Sequence, residues 1–150
     1  MSDKPKILLV EDNPDDEDLA RLAIDFSGVP CELHVARDGA EALDMLFCSL
    51  EDQTKGLDGP PHLVLLDLKL PKVSGLKVLQ RLRSDSRTKH LPVVILSSSM
   101  EYNDLVDAYK NGASGYVRKP IDLEEFNRAM SNICAFWLQS NEPPPDPTGI

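Results

Sequence analysis

Several polar residues in this chain stand directly behind short apolar runs. Glu11 and Asp12 follow Lys6–Val10 (KILLV), and Asp67 follows Leu63–Leu66 (LVLL). Ser97 follows Val93–Leu96 (VVIL), and Arg118, Lys119 and Pro120 follow Gly115–Val117 (GYV). If those runs are neighbouring strands, three carboxylates, a hydroxyl and an ammonium share one address. Gathered carboxylates repel one another unless a cation sits among them. Oxygen-only donors suit a hard divalent ion, and Mg2+ takes one or two carboxylates together with a phosphate oxygen. An aspartate can itself be the nucleophile and carry the group as an aspartyl-phosphate. Positioning and charge neutralisation are then most of the work. Lys119 suits the second task as a point charge on a phosphoryl oxygen.

The elements that must position these residues are legible in the pattern. The apolar runs, with the less apolar Glu32–Ala36 (ELHVA) as the second of five, fit parallel strands buried on both faces. Helical spacing of apolar residues marks Asp15–Ser27, Ala40–Leu50, Leu76–Arg83, Asp104–Lys110 and Leu123–Leu138. Gly28 and Pro30 stop the first of these, Asn111-Gly112 stops the fourth, and Asp122 caps the start of the last. Strands alternating with helices predict an α/β fold. Right-handed crossovers leave few topologies. The expectation is a flavodoxin-like, doubly wound five-stranded parallel sheet, order 2-1-3-4-5, with helices on both faces. Ligands of such sheets bind outside the carboxyl ends of the strands, where the polar residues stand.

Composition narrows the function classes. The chain has 150 residues, 41% hydrophobic and 27% charged, and carries a net charge of −9. That charge opposes nucleic-acid backbones and anionic membrane surfaces, which recruit Lys and Arg. No apolar run reaches the ~20 residues of a membrane-spanning helix, and MSDKPK lacks the apolar core of a secretory signal. The expected location is cytoplasmic. One domain is expected over residues 1–140, with a surface loop at Glu51–Pro61 (EDQTKGLDGPP) and a Pro-rich flexible tail at 141–150. No DNA-binding domain is expected to follow. Cys31, Cys48 and Cys134 have no metal-like spacing and read as core or surface residues. His34, His62 and His90 show no mutual spacing that would make them ligands.

The blocks LLVEDN, LLDLKLPKVSG, VVILSSS and GYVRKP resemble the signature blocks of bacterial response-regulator receiver domains, over about residues 5–138. The resemblance implies a phosphorylation switch fed by a sensor histidine kinase. It assigns Glu11 and Asp12 to Mg2+, Asp67 to both the phosphoryl group and the metal, and the backbone carbonyl of Lys69 to the third protein contact with the metal. Ser97 matches the switch hydroxyl, Tyr116 the switch aromatic, Lys119 the family's lysine and Pro120 a cis-proline position. Pro71 and Gly75 match the loop after the acceptor. The long loop, the Phe136-Trp137 ending of the last helix and the missing output domain are similar to stand-alone regulators paired with bacterial phytochrome kinases.

Competing readings are weaker. A Mg2+-dependent phosphatase of similar topology needs an acid two places after its nucleophile, where this chain has Lys69. A flavin module needs a phosphate-cradling loop after strand 1, where EDNPDD is acidic. Asp67 alone could cap a helix, but Leu-Lys-Leu-Pro is no helix start. Tyr102 and Tyr109 read as packing or surface residues. Phe136, Trp137 and Leu138 are consecutive, and at 100° per residue they cannot all face one core. At least one should be exposed or covered by a partner, and a second copy of the chain is the expected cover.

Overall fold

The computed structural model describes residues 4–51, 57, 59–119 and 122–145, the side chains of 49–51 excepted. Five strands alternate with helices: β1 (Lys6–Val10), α1 (Pro14–Phe26), β2 (Glu32–Ala36), α2 (Gly39–Glu51), β3 (Leu63–Leu66), α3 (Gly75–Ser84), β4 (Val93–Ser97), α4 (Tyr102–Lys110), β5 (Gly115–Arg118) and α5 (Leu123–Ala135). All neighbouring strands are parallel, in the order β2-β1-β3-β4-β5. This is the expected topology.

The alternation of side chains along each strand divides the core in two. Leu8, Val10, Val64, Leu66, Val93 and Ile95 meet α2, α3 and Ala108 of α4 on one face. Ile7, Leu9, Leu63, Leu65, Val94 and Leu96 meet Ala20, Ala23 and Ile24 of α1 and Phe126, Met130 and Cys134 of α5 on the other. β1, β3 and β4 are buried almost throughout, while the edge strands β2 and β5 are half-buried. The register aligns Ala36, Val10, Leu66, Ile95 and Tyr116 in one row across the sheet. The rows beyond it contain the polar residues.

Element ends differ from the expected ones for local reasons. The Asn13 side chain accepts hydrogen bonds from the N–H groups of Asp15 and Asp16, so α1 begins at Pro14, one residue early. Ser74 caps α3 in the same way through Lys77 N–H. α4 starts at Tyr102 rather than Asp104. The last helix is not α-helical to Leu138: from Phe136 to Ser140 it widens into a π-helical turn. That turn packs Trp137 and Leu138 against the second core cluster. Phe136 is 49% exposed, the exposed member that the run of three required.

The loop expected on the surface at 51–61 lies mostly outside the described residues. Leu57 within it is nevertheless buried in the first core cluster. Of the tail, residues 142–145 are exposed, and 146–150 lie outside the described residues. Cys134 is buried, Cys31 half-buried and Cys48 exposed. Tyr102 and Tyr109 are exposed. Among the described residues no helix is long and apolar enough to cross a membrane.

Candidate functional site

Strand pairing carries the acidic residues into place. Glu11 N–H donates to Ala36 carbonyl oxygen (2.9 Å), and Asp67 N–H donates to Val10 carbonyl oxygen (3.1 Å). Each bond prolongs the ladder by one residue, so Glu11 and Asp67 sit side by side beyond the apolar rows. Only 2% of Glu11 and 8% of Asp67 is exposed. Asp12, the next residue, is exposed. At β4–β5, Ser97 is the last strand residue, and Lys119 N–H donates to its carbonyl oxygen (2.9 Å). Lys119 thereby enters the cleft from β5.

Three acids surround that lysine. Its Nζ lies 2.5 Å from Glu11 Oε1, 3.0 Å from Asp16 Oδ2 and 3.1 Å from Asp67 Oδ2. Carboxylate oxygens of Glu11, Asp12 and Asp67 all fall within 4.8 Å of one another. Burial drives the Glu11 carboxyl up from 4.5 to about 7; the Asp67 charge adds to this, and the Lys119 and Asn13 donors only partly offset it. Burial alone would lower the Lys119 ammonium, but Glu11, Asp67 and Asp16 outweigh it and raise it well above the usual lysine range. One ammonium therefore leaves this group short of positive charge. A hard cation with oxygen ligands would supply it, and the donor set fits one.

The loop after Asp67 is packed without slack. A Cβ on Gly75 would lie 2.0 Å from the Asp67 carbonyl oxygen, and a Cβ on Gly39 would lie 1.9 Å from that of Val73. Lys72 has φ +66°. Val73 N–H donates across it to Pro71 carbonyl oxygen (2.8 Å), a tight γ-turn. Lys72 Nζ reaches Asp38 Oδ2 at 3.4 Å. Lys69 N–H donates to Asp67 Oδ1 (3.4 Å), while the Lys69 residue is exposed.

The opposite wall is held by a different device. Ser97 Oγ accepts from Ser99 N–H (3.1 Å). Ser99 Oγ donates to Asp104 Oδ2 on α4 (2.5 Å) and accepts from Glu101 N–H (3.2 Å). Tyr116 hydroxyl donates to Ser99 carbonyl oxygen (3.5 Å). Next to Lys119, a cleft of about 600 Å³ opens between α1, α5 and the β4–α4 loop, with Asp16, Ser98, Met100 and Arg118 on its walls.

Of the residues singled out in the sequence, Glu11, Asp12, Asp67 and Lys119 meet in one place. Ser97 adjoins them with its hydroxyl bonded to Ser99. Tyr116 joins the same loop through Ser99. The cis-proline expectation at Pro120 lies outside the described residues. The histidines lie elsewhere: His34 pairs with Glu32 (3.2 Å), and His62 Nδ1 accepts from Lys6 N–H (3.1 Å) at the amino end of β1. Asp16 is not among the expected site residues, because it lies in the first turn of α1 and not directly behind a strand. It stands three places after the cap Asn13.

Comparison with known proteins is consistent across sequence and structure. Residues 7–131 match the family model for the response regulator receiver domain. The probable methanogenesis regulatory protein FilR2 of Methanothrix harundinacea (strain 6Ac) is 38% identical over 138 residues, 92% of this chain and 86% of its own. The phosphorylated cyanobacterial phytochrome response regulator RcpA superposes with a TM-score of 0.82 at 36% identity, covering 94% of this chain and 99% of that one. The Mn(2+)-bound form of response regulator Rcp1 superposes with a TM-score of 0.81 at 32% identity, covering 93% and 99%. Rcp1 of Synechocystis sp. (strain ATCC 27184 / PCC 6803 / Kazusa) is 34% identical over 141 residues, 93% of each chain. With its 2-1-3-4-5 sheet and an acidic cleft at the strand ends, this chain belongs to the response-regulator receiver domains of two-component signalling.

Proposed function

We propose that Asp67 receives a phosphoryl group from the phosphohistidine of a sensor histidine kinase. The observation that carries this reading is the Lys119 ammonium bridging Asp67 and Glu11 beside a third carboxylate. An Asp67 carboxylate oxygen attacks phosphorus, the new P–O bond forms, and the P–N bond breaks with its electron pair returning to the imidazole. Lys119 neutralises charge on the phosphoryl oxygens. Mg2+, held by Glu11, Asp12, Asp67 and the Lys69 carbonyl, would supply further neutralisation of the transferring group. Rcp1 in its Mn(2+)-bound form supports the choice of a hard divalent ion. Hydrolysis of the aspartyl-phosphate by water returns the carboxylate. The chain thus carries out only its own phosphorylation and dephosphorylation.

Incubation with acetyl phosphate and Mg2+ followed by mass measurement tests the assignment. Wild-type protein should gain one phosphoryl group and Asp67→Asn none. A normal gain in Asp67→Asn refutes it.

Relay runs through conformation and protein contact. When Ser97 Oγ turns to a phosphoryl oxygen, it gives up Ser99 N–H, and the loop that holds Asp104 and Tyr116 is released. The likeness to RcpA, a phytochrome response regulator, supports a phytochrome kinase as donor. The net charge of −9 argues against nucleic acid as the target. A homodimer through the end of α5 fits Phe136, which stands exposed, edge-on to Trp137 at 4.8 Å. Sedimentation should show a dimer that Phe136→Ala dissociates; a monomer at tens of micromolar, phosphorylated or not, removes that part of the reading.

A further inference from the structure

The three partners of Lys119 are not equivalent. An ammonium has three donors, and all three are taken, by Glu11, Asp67 and Asp16. Glu11 and Asp67 belong to the carboxylate trio whose oxygens converge within 4.8 Å; Asp16 does not. Glu11, Asp12 and Asp67 would hold a divalent cation, and two of the ammonium's partners would then be shared with it. Its two positive charges would stand beside an ammonium whose side chain is only 11% exposed. Like charges in a partly buried site repel, and a carboxylate outside the metal set would offset that repulsion.

Asp16 has the required placement. Its N–H donates to Asn13 Oδ1 (3.2 Å), which fixes it in the first turn of α1. A carboxylate there is favoured by the amino-terminal end of the helix dipole. Its side chain is 35% exposed, so it stands at the mouth of the cleft, outward of the ammonium. We infer that Asp16 is a positioning residue: it retains Lys119 in the cleft when a divalent cation occupies Glu11, Asp12 and Asp67, and so sustains metal affinity. The inference rests on the proposed phosphoryl reception at this cleft.

The full chain titrated with Mg2+ alone, followed by nuclear magnetic resonance, tests it against Asp15→Asn, an exposed acid of the same helical turn. Asp16→Asn should weaken Mg2+ binding about tenfold, Asp15→Asn less than about twofold, and Asp16→Glu should recover most of the loss. A plain loss of charge would also weaken binding, so the deciding readout is a double-mutant cycle. In a Lys119→Met background, which leaves no ammonium to retain, Asp16→Asn should do no more than Asp15→Asn. An undiminished penalty in that background, or equal penalties for Asp15→Asn and Asp16→Asn in the native one, overturns the inference and leaves the proposed function intact. Wild-type protein that takes no Mg2+ in this cleft overturns both.

Discussion

The two loops that flank the acidic cleft are built on opposite plans. The β3–α3 loop, from Leu68 to Ser74, is wedged between two glycines whose hydrogens already touch backbone carbonyls, and it turns through a positive φ at Lys72. The β4–α4 loop is tied by serine hydroxyls and side-chain acceptors, and it leads to Met100 and Tyr102, which are 68% and 77% exposed. Packing of the first kind has one solution, because any added atom collides. Hydrogen bonds of the second kind can be exchanged for others at little net cost. The wall beside Asp67 is therefore suited to hold its carboxylate still. The wall beside Ser97 is suited to move.

The contrast can be broken most forcefully at Gly75. Gly75→Ala should cost about 3 kcal/mol, since its Cβ would lie 2.0 Å from the Asp67 carbonyl oxygen and the backbone must shift. It should also slow phosphorylation in whatever fraction folds. Chemical denaturation measures the first effect, and a loss under 1 kcal/mol would show that the loop yields after all.

The next effect is on the acid trio itself. The folded-state pKa of Glu11 is raised from 4.5 to about 7. Between those values the folded state binds more protons than the unfolded one, so stability falls as pH rises. The full loss, on the order of 3 kcal/mol, is reached above pH 7. Denaturation of metal-free protein from pH 4.5 to 8 should show this decline, and Glu11→Gln should flatten it. A flat wild-type profile would mean that Lys119 already compensates Glu11.

The smallest effect belongs to the movable wall. Ser99→Ala removes the hydroxyl's bonds to Asp104 and Glu101 and should cost about 1 kcal/mol at most. Phosphorylation should be untouched. In Ser97→Ala, phosphorylation should likewise persist, but amide shifts along α4 should respond less to it. A full α4 response in Ser97→Ala would remove this wall from the relay.

The fold was legible because its strands are unmistakable: LVLL and VVIL are buried on both faces, and the sheet order follows from the alternation. The four residues that meet in the cleft were legible for the same reason, since each stands one or two places beyond a strand or starts the turn after it. What escaped is set by contacts distant in sequence. Gly39 is a glycine because Val73 lies against it, and nothing in GAEALDML announces that. The π-helical turn at Phe136 leaves the apolar spacing of α5 unchanged. Leu57 sits in a polar stretch yet is 1% exposed. Asp16 enters the cleft from the first turn of α1, which Asn13 rather than Asp15 caps.

The bond from Lys119 N–H to Ser97 carbonyl oxygen has a consequence for how such a chain can be remodelled. It makes the juxtaposition of hydroxyl and ammonium a property of two paired strands, independent of the residues that connect them. The segment from Ser98 to Ser114 can lengthen or shorten at its exposed turns, and foreign sequence grafted there would leave Ser97 and Lys119 where they are. Removing a single residue from β5 is the opposite case. The strand would slip by one place, every side chain on it would change face, and Lys119 would be withdrawn from the cleft with its own chemistry intact.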